Sequence, residues 1–570
     1  MTTATPPGPL PPGAERIQRL AFLVLVAVLA FRILLLPVLA WSTRYVMDEY
    51  GQASFPLYIP MGFYDGLDPI KTVLYIYVFD VAHRLTHYAV DLLHVARMEG
   101  VFLAFLAAGA TFGIARRLGR SRFEAWFSLS VLFSFTNFME RSFRIRSDTV
   151  AVAFAACAAL VAVGGEGPGR AFLAGLLAGG AFLSTQKAVY PLAAIGLALA
   201  LSGIGLLTVR RQIARLGAYG AGISAALLAY GMWFDFRNPF RVLSMVFLSP
   251  LHYAPIHGNP HYTYIWRDYV PQTLFRNPVP YALAVAGLAL ALSRFRSAEP
   301  RARLAVVAAS AVTLLVFTHD QPWPYVFVMA LPFLSVFAPV ALAWAEARAS
   351  DRGPWVRLAA CALLMWQLPR NIAYLDHDNG IQNEVVAYAE RLLGPGDRYF
   401  DGIGMVPTRY QAEPVSWEAL ILHKVRVELA HGNDRSIRRI LESRPKLWIL
   451  NYRIHTLGEH MPRLLDPSYV RVHPDVLLTG AFFRDAMPVT FVNRWPGRYR
   501  LFRPDGSASG ETWRLDGREA DANGFVPEGS HEVVASLADG PRYLLPADTT
   551  FAMALPVKSP PDDLFSGVYN

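Results

Sequence analysis

Two adjacent carboxylates, Asp48 and Glu49, stand just past the first long apolar stretch of the chain, residues 20–41. A positioned carboxylate can act as a general base toward a hydroxyl group. Because the chain has only just left the bilayer at this point, the pair predicts chemistry at the membrane surface, on a substrate carried in the lipid. The alternative interpretation is a solvated loop without a catalytic role, as for most acidic dipeptides.

A second charged segment, residues 141–148, holds three arginines and ends in Asp148. If the amino-terminal tail is cytoplasmic, this segment faces outside, where Lys and Arg are disfavoured. Cations kept on that side favour an anionic partner, and a lipid-linked phosphate is the natural candidate. Ordinary anionic headgroups could bind the same arginines, and Asp148 could instead be the N-cap of the helix that follows. The predicted phosphate ligands are Lys71, Arg144, Arg146 and Lys187.

The predicted outer loop over residues 235–280 is rich in Tyr, Trp and His. One interpretation is a lid, in which rings stack on a sugar while His257, His261 or Arg267 contacts phosphate. The other is anchoring of the aromatic rings among lipid headgroups. The histidines follow no strong zinc-ligand spacing. The sequence therefore predicts no metal ligands and no certain cofactor, and it leaves a divalent cation open.

These side chains must be positioned by a membrane protein, because 54% of the 570 residues are apolar, only 17% are charged and the mean hydropathy is +0.29. The net charge of +9 does not indicate nucleic-acid binding, since the Lys and Arg residues form short clusters between apolar runs. Cys157 and Cys361 lie in separate apolar runs, which excludes a disulfide framework and a Cys-rich metal site.

Apolar runs predict eleven membrane spans, and the basic clusters at 116–122, 210–215, 294–303 and 348–357 then fall on the cytoplasmic side. This assignment of sides requires that residues 70–91 do not cross the membrane but form an amphipathic helix lying in the interface. The alternative is an ordinary span there, for a total of twelve or thirteen. The predicted spans are 20–41, 99–115, 123–139, 149–163, 171–184, 189–209, 216–234, 280–293, 304–317, 325–343 and 356–368.

Past residue 368 the apolar runs shorten and turn residues appear, so the remainder is predicted to be soluble and extracytoplasmic. Its first part alternates between helical and strand patterns, and its last part has short strands separated by turns, which is typical of a small β-sandwich. The predicted fold class is a polytopic α-helical membrane protein with a carboxyl-terminal α/β plus β-sandwich region. The predicted domains are a disordered cytoplasmic tail (1–19), the membrane domain (20–372), the α/β domain (373–485) and the sandwich (486–570).

The order and sidedness of these motifs resemble the GT-C superfamily of membrane glycosyltransferases, particularly the protein O-mannosyltransferase and aminoarabinose lipid A transferase branch. The carboxylates at 48 and 49 match that superfamily's first acidic motif, and Asp148 matches the second. Residues 183–188 resemble its small-Thr-Lys-Gly turn, with Gln186 inserted and Ala188 in place of Gly. Residues 319–325 are similar to its His-x-Tyr-Tyr element, which adds His319 and Tyr325 to the candidates.

The resemblance implies an inverting transfer of a sugar from a polyprenyl phosphate to an acceptor hydroxyl on the extracytoplasmic side of a bacterial-type inner membrane. Asp48 is then the base, Glu49 orients it or the sugar, and Tyr64 joins the substrate-binding residues. The implied partners are a polyprenyl-phosphate-linked sugar, an envelope glycan, lipid or protein acceptor, and membrane lipids. A transporter or flippase of lipid-linked saccharide and a non-catalytic envelope assembly protein are the rival functions.

Overall fold

The structure, a computed structural model, describes residues 13–62, 64, 71–253, 265–319, 323–412, 419–455, 465, 467–537, 540–550 and 564. The chain divides into two compact units. The helical unit comprises residues up to Thr43 together with Asp68–Val81 and His94–Asp376. The mixed unit comprises Arg44–Leu67, Ala82–Leu93 and the chain from His377 onward.

Most α-helices lie in the helical unit, and the division between the units falls within two of them, Leu74–Leu85 and Ala89–Arg117. The others in this unit are Ala14–Ser42, Arg122–Ser134, Thr136–Arg141, Ser147–Val163, Pro168–Ser184, Val189–Ser202, Val209–Phe234, Pro239–Tyr253, Ile265–Arg276, Pro278–Ser293, Pro300–Phe317, Leu331–Ser335, Ala338–Arg348, Gly353–Leu363 and Leu368–Ala373. Short 3-10 turns include Gln186–Ala188, Phe327–Met329 and Leu364–Gln367.

In the part of the chain that the structure describes, four helices are long and apolar enough to cross a membrane. They are Ala14–Ser42, Ala89–Arg117, Val209–Phe234 and Pro300–Phe317. A fifth candidate is the pair Tyr269–Arg276 and Pro278–Ser293, bent by 94°. Several other predicted spans are short or interrupted: the 123–139 stretch breaks at Phe135, whose backbone is extended. The membrane class is thus supported, and the count of eleven stays a prediction.

Close approach of two long helices explains why small residues recur in these apolar runs. A Cβ at Gly175 in Pro168–Ser184 would overlap the carbonyl oxygen of Tyr219, and one at Gly222 in Val209–Phe234 would overlap that of Phe172. Small residues at such positions let two backbones approach and gain dispersion contacts in a lipid environment.

Residues 70–91 do not form the single amphipathic helix that the sequence predicts. The first helix ends at Leu85, and a new one begins at Ala89. The backbone N–H of Ala89 donates a hydrogen bond to Oε2 of Glu390 at 2.8 Å. A carboxylate at a helix start satisfies an otherwise unpaired N–H and favours initiation there. Asp91 consequently belongs to the first turn of the second helix.

The mixed unit holds the helices Met47–Ser54, Gly380–Leu392, Ala419–Ala430, Arg435–Glu442 and Tyr452–His455. Its strands are β1 (Tyr399–Phe400), β2 (Leu447–Ile449), β3 (Tyr469–His473), β4 (Val476–Thr479), β5 (Ala481–Phe483), β6 (Val489–Asn493), β7 (Gly497–Phe502), β8 (Trp513–Leu515), β9 (Arg518–Ala520), β10 (Gly524–Val526), β11 (Gly529–Ala535) and β12 (Arg542–Pro546).

Three four-stranded sheets result, with orders β1-β2-β4-β3, β10-β7-β12-β5 and β6-β11-β8-β9. In the first sheet β1 and β2 are parallel and the other neighbours are antiparallel. Its buried Phe400 and Trp448 share a core with Val425 and Ile440 from two helices, which makes an α/β layer. The other two sheets share one core through residues such as Leu544 and Trp513, which makes a β-sandwich. The carboxyl-terminal β-rich region is thus as predicted.

Candidate functional site

Four of the predicted site residues meet in the helical unit: Arg146, Asp148, Lys187 and Tyr325. Oδ2 of Asp148 accepts hydrogen bonds from Nη2 and Nε of Arg146 at 3.2 and 3.4 Å. Nζ of Lys187 lies 3.8 Å from Oδ1 of the same carboxylate. The Tyr325 ring lies under both cations, with its centroid 3.6 Å from the Arg146 guanidinium carbon and 4.4 Å from the Lys187 nitrogen. We call this set the cation cluster.

The cation cluster is largely withdrawn from solvent. The side chains of Arg146 and Asp148 are 5% and 4% exposed, while Lys187 is 31% exposed. Oδ1 of Asp148 is buried, and none of the described residues donates a hydrogen bond to it. Charges kept in such a place interact more strongly than in water, because solvent screens them less. The cluster carries net positive charge and suits an anion.

A cavity next to the cluster combines charged and apolar walls. The polar wall of this cavity consists of Arg146, Asp148 and Tyr325 from the cation cluster and of Arg141, which is also buried. The apolar wall consists of Leu103, Ala104, Phe138, Val152 and Val328. The cavity itself is small, about 10 Å³, but the side chains that line it are of the two kinds that would contact a phosphate carrying a hydrocarbon chain.

Asp148 is not the N-cap of the helix after it. That helix begins at Ser147 with Arg146 in the N-cap position, and Asp148 is its second residue. A carboxylate in the first helical turn is still stabilised by the helix dipole. This placement leaves its two oxygens directed at the cations.

The segment that carries the arginines is held against the helix Ala89–Arg117 at Gly100. A Cβ there would overlap the carbonyl oxygen of Phe143, so only glycine permits this contact. The guanidinium groups of Arg97 and Arg144 lie over the Phe143 ring, at 5.6 and 5.1 Å from its centroid. Arg97 also donates to the carbonyl oxygen of Ala40 at 3.0 Å, which ties the end of the first helix to the same place.

Gly100→Ala should therefore shift the arginine segment and lower both thermal stability and activity. Overpacking of this kind costs about 1–3 kcal/mol. Gly109→Ala is the matched control, since it makes the same change in the same helix where nothing lies near the added methyl group. At position 109, helix propensity predicts that alanine raises the free energy of unfolding by about 0.5–1 kcal/mol. Thermal unfolding in detergent measures both, and equal effects would contradict this role of Gly100.

Tyr325 is positioned by a buried amide network. Nδ2 of Asn137 donates to the carbonyl oxygen of Pro324 at 3.0 Å. Oδ1 of Asn137 accepts from the Thr273 hydroxyl at 2.7 Å and from Nδ2 of Asn277 at 3.1 Å. Because all three polar side chains are buried and paired, they fix the backbone that presents the tyrosine ring.

The other predicted residues of this unit have different surroundings. Nη2 of Arg144 donates to the Tyr374 hydroxyl at 2.6 Å, and its Nε donates to the carbonyl oxygen of Glu140. His319 Nδ1 lies 2.8 Å from the Tyr190 hydroxyl. Lys71 is half-buried near Val73. His257 and His261 lie outside the described residues. Arg267 lies in the helix Ile265–Arg276, but its side chain is outside what the structure describes.

In the mixed unit, Asp48 and Glu49 occupy the first turn of the helix Met47–Ser54. Glu49 is fully buried, and its Oε2 accepts a hydrogen bond from the backbone N–H of Val46 at 2.8 Å. An acid at this position satisfies a free N–H at the start of the helix. Asp48 is half-buried. The two neighbours therefore have different environments, with Glu49 engaged in holding the helix. Tyr64 is buried in the same unit.

Tyr452 and Arg453 lie beside this helix. Nη2 of Arg453 donates to Sδ of Met47 at 2.7 Å, and the Tyr452 hydroxyl contacts the same sulfur. Partial burial raises the pKa of Tyr452, which is still 38% exposed; Arg453 opposes this shift, and the charge of Asp48 adds to it. The sequence did not indicate either residue, because 406 positions separate Arg453 from Met47.

Asp401 closes a loop directly after β1 and is fully buried. Its carboxylate accepts three backbone hydrogen bonds at 2.7 Å, from the N–H groups of Ile403, Gly404 and Met405. The carbonyl oxygen of Asp401 accepts a hydrogen bond from Nδ2 of Asn451 at 2.9 Å. The loop conformation thus depends on this one carboxyl group.

The loop contacts the helix that carries Asp48. A Cβ at Gly404, where φ is +96°, would lie 2.8 Å from the Ser54 hydroxyl oxygen. Asn451 continues the connection, since its Oδ1 accepts a hydrogen bond from the Arg453 N–H at 3.0 Å. Asp401 is therefore a positioning residue for this helix and for Arg453.

Burial raises the pKa of Asp401 to about 6, against the opposing effect of its backbone hydrogen bonds. A folded-state pKa above the unfolded value of 3.8 means that the folded state holds its proton to higher pH. Its contribution to stability is present below pH 4 and is lost as the pH rises to 6, by about 3 kcal/mol.

We expect Asp401→Asn to remove this pH dependence. The stability of the variant relative to wild type should rise from pH 4 through pH 6 and become constant about one pH unit above the folded-state pKa. Calorimetric unfolding of both proteins across this range measures the difference, in which the titration of every other group cancels. Parallel pH profiles would show that Asp401 does not titrate in this way.

Among the described residues, no group of three or more His, Cys, Asp or Glu side chains could hold a metal ion.

The fold of the chain is similar to those of solved GT-C membrane glycosyltransferases, which confirms the predicted resemblance at the level of the fold. The aminoarabinose lipid A transferase ArnT from Cupriavidus metallidurans, bound to undecaprenyl phosphate, is 16% identical with a TM-score of 0.56; the alignment covers 79% of this chain and 97% of that one. Its apo state gives 14% identity, a TM-score of 0.54 and coverages of 80% and 97%. The apo Archaeoglobus fulgidus oligosaccharyltransferase is 12% identical with a TM-score of 0.48, and the alignment covers 90% of this chain and 76% of that one. Comparison with protein-family models and curated proteins gives no match.

Proposed function

We propose that the chain is an inverting glycosyltransferase that moves a sugar from a polyprenyl-phosphate donor to an acceptor hydroxyl on the extracytoplasmic side of the membrane. The observation that carries the proposal is the cation cluster. Three separate segments contribute a guanidinium, an ammonium and a tyrosine ring around one buried carboxylate, beside an apolar wall. The undecaprenyl phosphate bound to ArnT, a protein of the same fold, supports a ligand of this chemistry.

In the proposed reaction, the acceptor oxygen attacks the anomeric carbon while the bond from that carbon to the phosphate oxygen breaks. The bonding electrons leave with the polyprenyl phosphate, whose charge grows from about −1 to about −2. Arg146 and Lys187 stabilise this growing charge, and Arg141 adds a third cation. Groups preorganised in a poorly hydrated site are effective at this task, because they need no reorganisation during the reaction.

Asp48 takes the proton from the acceptor hydroxyl. The hydrogen bond from Val46 gives Glu49 a structural task, which favours Asp48 as the base of the pair. Attack from the face opposite the departing phosphate inverts the anomeric carbon. Asp148 attracts both Arg146 and Lys187 and offsets the repulsion between them, so that both can reach one phosphate group.

Transfer assays in vesicles test the proposal. Purified protein is mixed with polyprenyl phosphates that carry hexoses, pentoses or aminosugars, and release of free polyprenyl phosphate is measured. Mass spectrometry of envelope glycolipids and glycoproteins, with and without the protein, then identifies the sugar and the acceptor. Movement of an intact lipid-linked sugar between leaflets without release of phosphate would instead support a flippase.

A further inference from the structure

A second cavity lies in the helical unit, among the helices Pro278–Ser293, Pro300–Phe317 and Ala338–Arg348. Its volume is about 540 Å³, and it shares no residue with the cation cluster or with the cavity beside it. Its walls are mainly apolar, and three arginines lie among them. The residues that carry the argument are Arg120, Leu290, Arg294, Val306, Trp344 and Arg348.

The charged residues that line this cavity are arginines, one of which, Arg120, has its Nη1 3.6 Å from a carboxylate oxygen of Glu124 outside the lining. None of the described residues that line it is a carboxylate. Arg294 and Arg348 are exposed, and the Arg348 guanidinium lies 4.5 Å from the centroid of the Trp344 ring. The nearest acid on the same helix, Glu346, is already held by Arg357 through two hydrogen bonds of 2.6 and 2.8 Å.

The second cavity also has an apolar part. Val306 is buried and Leu290 is half-buried, so the cavity continues inward from the arginines between apolar side chains. Trp344 is 41% exposed, and tryptophan is enriched where a helix passes from hydrocarbon to headgroups. A lining that combines three arginines, a tryptophan and aliphatic side chains matches a molecule with an anionic head and a hydrocarbon chain.

We infer that this cavity binds one anionic phospholipid of the surrounding bilayer. The phosphate contacts Arg120, Arg294 and Arg348, and an acyl chain lies along Leu290 and Val306. Basic pockets between membrane helices on the cytoplasmic side bind such headgroups. All three arginines fall in the clusters predicted to be cytoplasmic, whereas the cation cluster is predicted to lie on the opposite side. Free phosphate would leave the apolar wall unoccupied, so we assign the site to a lipid.

Native mass spectrometry with added phosphatidylglycerol tests the assignment. Arg294→Gln/Arg348→Gln should weaken binding of the first lipid about 30-fold, given about a factor of five for each cation. Arg210→Gln/Arg211→Gln is the matched control, since it also removes two exposed arginines from a predicted cytoplasmic cluster, outside the cavity. The control should bind within twofold of wild type. Equal losses in the two double variants, or no loss in the first, would overturn the inference.

A third variant separates a lipid from a bare headgroup or phosphate. Ala302 lines the cavity, and Ala302→Trp places an indole ring in the space proposed for the acyl chain while every arginine stays. This variant should also lose phosphatidylglycerol, and phosphatidylcholine should bind neither it nor wild type at the site. If Ala302→Trp keeps its lipid while the arginine variant loses it, the site recognises phosphate alone and the assignment to a lipid is wrong.

Discussion

Asp48→Asn should lower the turnover of sugar transfer by about 10²- to 10⁴-fold, the usual contribution of one positioned general base. Asparagine keeps the size of the side chain but cannot take a proton. The fold should persist, because the hydrogen bond from the Val46 N–H to Glu49 at the start of this helix stays in place. Binding of the polyprenyl-phosphate sugar should persist as well, because the proposed phosphate ligands are elsewhere in the chain. Single-turnover kinetics at saturating donor isolate the chemical step.

Asp91→Asn is the control for this substitution. Asp91 also lies in the first turn of a helix within the mixed unit, and it is exposed. Both variants lose a similar helix-dipole interaction, which is worth about 0.3–1 kcal/mol. Turnover should be unchanged in Asp91→Asn. An Asp48→Asn protein with wild-type turnover, or one that no longer binds donor, would rule out Asp48 as the base.

Arg146→Gln should lower kcat/KM for the donor about 10²- to 10³-fold, as expected when one preorganised group that stabilises developing charge is removed. The side chain is 5% exposed and contacts both Asp148 and Tyr325. Lys187→Gln should have a smaller effect, since Lys187 is 31% exposed and water can partly replace it. Donor titrations with initial-rate measurements give these values.

A double variant distinguishes a purely structural role of Arg146 from a role in binding the leaving phosphate. Removing the arginine alone leaves the Asp148 carboxylate buried without its closest partner, which can cost about 3–5 kcal/mol. Arg146→Gln/Asp148→Asn removes both charges, so thermal stability should recover. Transfer should stay low if Arg146 binds the leaving phosphate. Recovery of activity together with stability would mean that Arg146 only neutralises Asp148.

Much of the helical unit was predictable, because most apolar runs fold locally into helices. The predicted span 149–163 corresponds to Ser147–Val163, and 304–317 corresponds to Pro300–Phe317. The cation cluster also had a local signal, in charged residues placed where topology disfavours them. Its members lie just before or after helices, at Arg146, Lys187 and Tyr325, where backbone direction is limited by the helix end.

The remaining features depend on contacts between distant parts of the sequence. Glu390 starts the helix at Ala89, and no pattern within residues 70–91 shows this. Asp401 and Arg453 support the helix of Asp48, although a buried aspartate and a partly apolar arginine have no local signature of that role. The number of spans is uncertain from apolar length alone, because breaks such as Phe135 shorten individual helices.

A cryo-EM structure of the protein with undecaprenyl phosphate in a lipid nanodisc tests the central claim most directly. We predict density for the phosphate within hydrogen-bond distance of Arg146 or Lys187, with the isoprenoid chain along Val152 and Val328. Phosphate bound away from these cations, with the Arg146–Asp148–Lys187 contacts unchanged and the adjoining cavity empty, would contradict the account.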